Sequence, residues 1–327
     1  MKRLLFNLRV GLLGLGVLAS TALAQDAYPT RPLTFVVPYP PGGSNDVFAR
    51  RVAKGLSEAL GQPIVIDNRP GASGNIGTGQ VAKAAPDGYT FAVVSSSMTT
   101  NAAIANNFAN NLPFDAVKSF APVAQFARGP FIAAVNVDVP VKNPADLVAL
   151  LRAKPGKLNY GSSGLGSSNQ FATEMFKAAS NTFMVHVPYR GMGPAVTDLI
   201  SGQVQLILAS GPSLLPHIRS GRIRAVGITS ATPSAIAPDL IPLASAAPGY
   251  EFALWWGLLA PAGTPPAIVE RLNREVNKLI TTPEMKAAFL QEGVEAAPLS
   301  PAQFAKVIAD DVQRWKRVAK QQSIVAE

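Results

Sequence analysis

The sequence predicts an α/β protein of two lobes, each a mainly parallel sheet flanked by helices. Two observations predict this class. From Leu33 onward, short β-branched or apolar runs alternate with segments of helical period, a pattern typical of parallel sheets covered by helices on both faces. Removal of a predicted 24-residue leader leaves 327 − 24 = 303 residues. At roughly 150 residues per domain, that length is enough for two lobes with a cleft between them.

The N-terminal segment has the features of a secretory signal peptide. Lys2, Arg3 and Arg9 flank or precede an apolar stretch over 10–19, and Ala22-Leu23-Ala24 forms an A-x-A-type cleavage site. We therefore predict that residues 1–24 are removed after Ala24 and that the mature protein is exported. No later apolar run approaches the roughly 18 residues of a transmembrane helix. The chain has no cysteine, which excludes disulfides and a lipid anchor and leaves core burial to supply stability.

The charge of the chain is mildly basic. The formal net charge of +9 includes three cationic residues of the leader, so the predicted mature chain carries 9 − 3 = +6. A positive surface attracts anionic ligands, but it equally serves solubility. Charge alone therefore selects no function.

The first elements form a β-α-β unit followed by a third strand. A strand over Leu33–Val37 leads into a helix over 46–60, whose apolar residues share one face, and then into a strand over 64–67. A glycine-rich loop over 70–79 and a short helix ending near Ala85 precede the turn signal Pro86-Asp87-Gly88. A third strand is expected over 89–94.

A second series of alternating elements follows, and the tail is mainly helical. The predicted strands are 131–135, 158–160, 184–187, 204–209 and 224–229, and an apolar run follows over 252–259. The predicted helices are 144–153, 167–179, 193–201, 265–280, 283–291 and 300–320. A terminal helical segment that returns to pack on the first lobe is the most economical arrangement.

A glycine-rich loop, Tyr39 to Asp46 (YPPGGSND), joins the first strand to the first helix. Such a loop directs backbone N–H groups and the positive end of a helix at one place, which suits an anion. Gly42 and Gly43 allow close backbone approach, Ser44 offers a hydroxyl, and Asp46 can cap the helix or accept a hydrogen bond. The alternative is an ordinary strand-to-helix turn.

Polar residues follow the other predicted strands as well. In an open α/β sheet, ligands bind outside the carboxyl ends of the strands, so these residues are candidates for binding. Hydrogen bonds to a charged group contribute roughly 1.5–3 kcal/mol each, and four or five could offset the desolvation of a carboxylate. For any one serine the alternative is a helix cap. The candidates are Tyr39, Pro41, Gly42, Gly43, Ser44, Asp46, Ser95, Ser96, Ser97, Thr99, Ser162, Ser163, Gly164, Ser167, Ser168, Tyr189, Arg190, Gly191 and Ser210.

The sequence offers little to support two other functions. An enzyme such as a secreted hydrolase is disfavoured, because only His186 and His217 are present, cysteine is absent, and no G-x-S-x-G motif occurs. We therefore expect neither a metal nor another cofactor. The relaxed dinucleotide fingerprint at 77–82 has no strand directly before it. Nucleic-acid binding is disfavoured because the basic clusters lack interleaved stacking aromatics and because the chain is expected to be exported.

Several ordered motifs give the chain a family resemblance. The motifs lie in the stretches 28–50, 65–91, 159–168, 187–204 and 259–265, which include YPPGGSND, NYGSSGLGSS and LAPAGTP and are distributed along the mature chain. In these motifs the chain resembles the Bug-type receptors, the periplasmic solute-binding proteins of tripartite tricarboxylate transporters.

The resemblance implies a two-lobed type II periplasmic-binding fold. The first lobe would comprise 25–127 and 249–327, and the second would be inserted at 128–248, with hinges near Phe126–Gly129 and Ser230–Tyr250. The resemblance further implies a periplasmic monomer that binds a small organic acid and delivers it to integral membrane transporter subunits, or that serves a sensor kinase instead. The ligand carboxylate would lie against the PPGG loop and the 162–168 segment. Cleft residues carried over from the family are Tyr39, Gly43, Ser44, Asp46, Ser95, Ser97, Ser162, Gly164, Ser168, Tyr189 and Arg190.

The chain departs from the family at one strand end. Relatives commonly have an acid where this chain has Ala209, at the end of the predicted strand 204–209. Loss of a carboxylate there weakens selection for a ligand ammonium. The expected ligand is therefore a purely anionic or partly aromatic acid, such as a dicarboxylate or tricarboxylate, ahead of an amino acid.

Overall fold

The computed structural model describes residues 28–104 and 112–324, which form two sheets with helices packed against them. The predicted signal peptide, residues 1–24, lies outside the described residues. Within the described ranges, no helix combines the length and the apolar character needed to cross a membrane.

The first sheet has six strands, in the order β11-β4-β10-β3-β1-β2. It takes strands from both ends of the chain. They are β1 (Leu33–Val37), β2 (Ile64–Asn68), β3 (Thr90–Ser95), β4 (Phe120–Pro130), β10 (Ala253–Pro261) and β11 (Glu295–Ala296).

The second sheet has five strands, in the order β7-β6-β8-β5-β9. All of them come from the middle of the chain. They are β5 (Ile132–Asn136), β6 (Asn159–Ser162), β7 (Val185–Pro188), β8 (Leu206–Ala209) and β9 (Ile223–Ile228).

The helices follow the strands in alternation and then dominate the C-terminal part. They are α1 (Ser44–Leu60), α2 (Asn75–Ala82), α3 (Ser97–Ile104), α4 (Pro144–Ala153), α5 (Ser168–Ser180), α6 (Met192–Ile200), α7 (Gly211–Arg219), α8 (Pro266–Ile280), α9 (Pro283–Gln291) and α10 (Pro301–Gln321). α10 begins with a complete capping box, in which Ser300 and Gln303 bond each other's backbone N–H groups.

The predicted α/β class is confirmed, but the sheets are mixed and not mainly parallel as predicted. β1 pairs in parallel with β2 and β3, and β6 with β7 and β8. β10 runs antiparallel to β3 and β4, and β5 antiparallel to β8 and β9. The antiparallel pairs arise at the strands that carry the chain between the sheets. A parallel pair needs a long crossover within one sheet, and these strands enter from the other sheet without one.

The sequence did not predict four of these elements. β4 contains Pro122 and Pro130, α7 contains Pro212 and Pro216, α3 is polar, and β11 has two residues. Proline removes a backbone donor and lowers the expectation of regular structure. β4 pairs with β10 and β11, which lie more than 100 residues further along the chain, so the local sequence of β4 cannot indicate this pairing.

Within residues 28–104 and 112–324 the chain crosses between the sheets twice, and the two crossings are joined at Thr229. The first crossing is Phe131, between β4 and β5, and the second is the segment 229–252. Thr229 Oγ1 accepts from Phe131 N (2.8 Å) and donates to the Phe252 carbonyl (2.7 Å). The hinge predicted near Phe126–Gly129 stays a prediction; those residues pair within β4, directly before the crossing at Phe131.

An aromatic cluster packs beside these crossings. Phe252 stacks on Phe131 with ring centroids 5.6 Å apart and on Trp315 of α10 with centroids 5.0 Å apart. Trp315 also meets the edge of Phe171 on α5. The C-terminal helix therefore packs against the crossing segment and reaches a helix of the second sheet.

Candidate functional site

A cavity lies between the two sheets, where their loops meet. It is narrow, since about 40 Å³ of it admits the centre of a water molecule, which is room for roughly three or four waters. Its lining is Tyr39, Pro40, Gly43, Ser44, Asn45, Ser95, Ser97, Phe131, Ser163, Ser168, Asn169, Met192, Gly193, Ala209, Ser210, Ser213, Leu254 and Trp256.

Five of the described helices present their N-terminal residues to this cavity. They are α1 with Ser44 and Asn45, α3 with Ser97, α5 with Ser168 and Asn169, α6 with Met192 and Gly193, and α7 with Ser210 and Ser213. The first N–H groups of a helix have no partner within the helix, and its N-terminus carries a partial positive charge. The cavity is therefore surrounded by donors and positive dipole ends.

Charged side chains do not take part. Among the residues that the structure describes, the lining includes no Asp, Glu, Lys, Arg or His. Part of the lining is polar, with serines and asparagines, and part is apolar, with Phe131, Met192, Ala209, Leu254 and Trp256. Such a site can hold an anion through hydrogen bonds and helix dipoles while it covers a hydrocarbon part.

The PPGG loop is held in place from behind by Asp46. Gly43 is the N-cap of α1, and Gly42 has φ +86°, a conformation that favours glycine. The Asp46 carboxylate accepts from Gly42 N (3.0 Å), from Arg50 Nε (3.0 Å) and from Asn68 Nδ2 (3.0 Å). Asp46 was predicted as a cleft residue, but it lies outside the lining, and its bonds go to the loop and to β2.

The hydrogen bonds to Asp46 keep its carboxylate charged. Burial raises the pKa, but the bonds from Arg50, the Gly42 amide and Asn68 outweigh that effect, so the pKa lies below its usual value. A pKa that is depressed in the folded state adds stability above the unfolded value, about 3.9, and this stability is lost as the pH falls through the folded value.

We expect Asp46→Asn to lower the free energy of unfolding by about 2–3 kcal/mol at pH 7, because charge-assisted bonds to the loop are lost. The difference from wild type should shrink at pH 3, because the carboxyl of the unfolded chain, whose pKa is about 3.9, is protonated there. Urea unfolding at both pH values measures this. The matched control is Asp67→Asn, whose partner Arg69 is exposed, and it should change stability by less than about 0.5 kcal/mol. Equal losses in both variants would contradict the role of Asp46.

Loops of the two sheets touch across the cavity. The hydroxyls of Ser97 and Ser168 are 2.9 Å apart and buried, and Ser168 N donates to Ser97 Oγ (3.3 Å). Ser73 Oγ donates to the Leu165 carbonyl (2.7 Å). Gly164 leaves room for this contact, because a Cβ there would lie 2.4 Å from Ser73 Oγ. The two halves are thus joined by polar contacts at the rim of the cavity.

The structure brings many of the sequence-predicted residues together. Those in the lining are Tyr39, Gly43, Ser44, Ser95, Ser97, Ser163, Ser168 and Ser210.

Tyr39 is anchored, because its hydroxyl donates to the Ser73 carbonyl (2.9 Å). Burial raises the pKa of this phenol to about 12, so it remains neutral. Ser44 Oγ accepts from Trp256 Nε1 (3.2 Å) and keeps its own proton to donate.

The other predicted residues lie outside the lining. They are Pro41, Gly42, Asp46, Ser96, Thr99, Ser162, Gly164, Ser167, Tyr189, Arg190 and Gly191. Several support neighbouring elements: Ser167 caps α5, Gly191 is the N-cap of α6, and Tyr189 donates to Asp198 Oδ2 (2.6 Å). Arg190 is exposed.

Ser162 pairs with His186 outside the cavity. Ser162 Oγ lies 2.6 Å from His186 Nε2, and the imidazole stacks on Tyr160. Burial lowers the pKa of His186 to about 4, so the ring is neutral at pH 7. In the described part of the chain, no group of three or more acidic, histidine or cysteine side chains is placed to hold a metal.

The lining also includes residues that the sequence analysis did not select. They are Pro40, Asn45, Phe131, Asn169, Met192, Gly193, Ser213, Leu254 and Trp256, together with Ala209, whose position was left open. One signal was available, because Ser210 followed by Pro212 is a typical helix start that places Ser213 in the first turn of α7. Phe131 is the first crossing, Leu254 and Trp256 lie in β10, and no local pattern marks them as cavity residues.

Comparison with known proteins gives consistent matches. A family model described as "Tripartite tricarboxylate transporter family receptor" matches residues 48–324. Protein BugT of Bordetella pertussis is 35% identical over 313 residues, covering 94% of this chain and 95% of BugT.

Solved structures match over nearly their full length. An R. palustris protein solved with adipate is 36% identical and superposes with a TM-score of 0.87, covering 91% of this chain and 99% of that one. MatC from Rhodopseudomonas palustris, solved with bound malate, is 29% identical with a TM-score of 0.82, covering 89% and 99%.

Proposed function

Because the chain belongs to the tripartite tricarboxylate transporter receptor family, we propose that it is a periplasmic solute-binding protein. It captures a small organic carboxylate between its two sheets and delivers it to the membrane subunits of a transporter. The family and the fold are those of solute-binding proteins. We propose that the chain carries out no chemistry on the ligand.

The convergence of five helix N-termini on an uncharged cavity is the observation that carries this proposal. Each N-terminus contributes backbone N–H groups and a partial positive charge of roughly half an elementary charge. Together they can replace the counter-cation that a buried carboxylate would otherwise need. Two related structures hold adipate and malate, which are both small dicarboxylates.

We further propose that the two sheets and their helices act as lobes that close on the ligand. The crossings at Phe131 and 229–252 are the places where the lobes can move relative to each other. The contacts of Ser97 with Ser168 and of Ser73 with Leu165 join the two lobes only when they are closed. A ligand that touches both sides favours the closed form by its differential affinity, and the membrane partner would recognise that form.

Export and assembly complete the proposal. Residues 1–24 would direct export and be cleaved after Ala24, which leaves a periplasmic protein that acts as a monomer. The N-terminal sequence supports cleavage at this position. Mass spectrometry of the protein purified from the periplasm would test it, since the expected N-terminal residue is Gln25.

The proposed function is tested by calorimetry of the mature protein with C3 to C6 dicarboxylates, tricarboxylates, aromatic acids and amino acids. We expect at least one acid to bind with a Kd of about 1 μM or below, near −8 kcal/mol. Each acid has a matched control in its neutral amide, for example adipamide for adipate, which should not bind because the helix N-termini favour a negative charge. Failure of every acid, or equal binding of acid and amide, would overturn the proposal.

A further inference from the structure

Two asparagines line the cavity, and the protein uses them differently. Asn169 is fully engaged, because its Oδ1 accepts from Ser163 Oγ (2.8 Å) and its Nδ2 donates to the Leu208 carbonyl (2.7 Å). Asn45 is equally buried, with 5% of its surface exposed. Its carboxamide makes no hydrogen bond to any residue that the structure describes, and its Oδ1 is buried without a partner.

The position of Asn45 gives no structural reason for an amide. Asn45 is the second residue of α1, whose N-cap is Gly43, so its side chain does not cap the helix. A buried polar group without a partner destabilises the folded protein, whereas an apolar group of similar shape would not. Asn45 lines the cavity, although its Oδ1 is enclosed as placed. No hydrogen bond holds the side chain, so rotation of the carboxamide would present it to a ligand.

The chemistry of the carboxamide limits what the ligand can offer. A carboxylate only accepts hydrogen bonds, so it can bind Nδ2 but cannot satisfy Oδ1. Oδ1 needs a donor, and a hydroxyl or an ammonium on the ligand could supply one. The five positive helix N-termini disfavour an ammonium, and the lining has no carboxylate to pair with it, because the end of β8 carries Ala209. A hydroxyl is the donor that suits the site.

We propose that Asn45 determines the specificity of the cleft by selecting acids that carry a hydroxyl beside the carboxylate. The hydroxyl donates to Asn45 Oδ1, while the carboxylate accepts from Nδ2 and from the N–H groups of the helix N-termini. The inference rests on the proposed function, since it assumes that an organic acid occupies this cavity. It adds the class of acid and the residue that distinguishes it.

The test compares acids that differ at a single group. The series are propionate, lactate and alanine; butyrate, 2-hydroxybutyrate and 2-aminobutyrate; succinate, malate and aspartate; and phenylacetate, mandelate and phenylglycine. For the carbon skeleton that binds most tightly, we expect the hydroxy acid to bind at least 10-fold more tightly than the unsubstituted acid and than the amino acid. Equal affinity for the hydroxy and unsubstituted acids, or tighter binding of the amino acid, would overturn the inference.

Two variants of similar size assign the preference to Asn45. Asn45→Val removes the amide and should reduce the hydroxyl preference to within about 2-fold of unity. Asn45→Thr keeps an acceptor and should retain part of the preference. Without ligand, Asn45→Val should have a Tm equal to or higher than wild type, because an unpaired buried amide is lost. A preference that is unchanged in Asn45→Val would overturn the role of Asn45.

These outcomes are distinct from failure of the proposed function. If the wild-type protein binds acids without regard to the hydroxyl, the receptor function stands and only the inference about Asn45 fails. If no acid of any series binds, the receptor function itself fails.

Discussion

Gly211→Ala is expected to weaken ligand binding by about 100-fold while the protein remains folded. Gly211 is the first residue of α7, on the second sheet, and it packs directly on the backbone at the end of α9, on the first sheet. A Cβ at this position would lie 1.9 Å from the carbonyl oxygen of Glu292. Because a backbone carbonyl cannot rotate away as a side chain can, α7 and the 292 region would have to separate.

The size of the effect follows from the coupling of closure to binding. If only the closed form holds the ligand, the apparent Kd rises in inverse proportion to the fraction of closed protein. A steric cost of about 3 kcal/mol to the closed form corresponds to roughly a 100-fold loss. The open form loses nothing, since alanine is more favourable than glycine in a helix by up to about 1 kcal/mol. Calorimetry with the tightest acid of the panel measures the affinity, and small-angle scattering measures whether the variant stays open with ligand.

Ser220→Ala is the control. Ser220 is exposed at the C-terminal end of the same helix, α7, and lies outside the cavity lining. Its affinity should stay within a few-fold of wild type. If Gly211→Ala instead lowers the Tm and leaves the affinity unchanged, then the contact between Gly211 and Glu292 lies within one rigid unit and closure does not involve it.

The parts of the fold that could be predicted from sequence are those set by local patterns. Strands such as β1 and helices such as α9 have the expected periodicity, and their bounds agree with the prediction within a few residues. The antiparallel strands could not be predicted in the same way. β10 is a continuous apolar run. Its nine residues do not indicate that it pairs with β3 and β4 or that it runs antiparallel to both.

The candidate site was predictable to a similar extent. Serines after strands lie near the cavity because strand ends and helix starts share one edge of a sheet. The direction of an individual side chain depends on partners that are distant in sequence. Asp46 points away from the cavity because Asn68 donates to it from β2. The apolar part of the lining formed by Phe131, Leu254 and Trp256 depends on where the first crossing and β10 lie relative to the cavity.

Ala209→Asp is expected to abolish or reverse the preference of the cavity for anions. Ala209 ends β8 and is 1% exposed, so a carboxylate there would lie in the lining without a cation among the described residues around it. Two negative charges about 5 Å apart repel by about 3 kcal/mol at an effective dielectric constant of 20. The acid that binds wild type most tightly should therefore bind at least about 100-fold more weakly.

Ala209→Asn separates charge from size, because asparagine has nearly the same shape as aspartate. It should weaken binding by no more than about 10-fold, through crowding alone. Burial without a cation raises the pKa of the introduced carboxyl, so the difference between the two variants should shrink as the pH falls from 7.5 to 5 and the carboxyl becomes protonated. Calorimetry at both pH values, with wild type measured beside them, checks this. If the two variants lose affinity equally at every pH, position 209 acts by its volume, and the preference for anions does not depend on the absence of charge in the cavity wall.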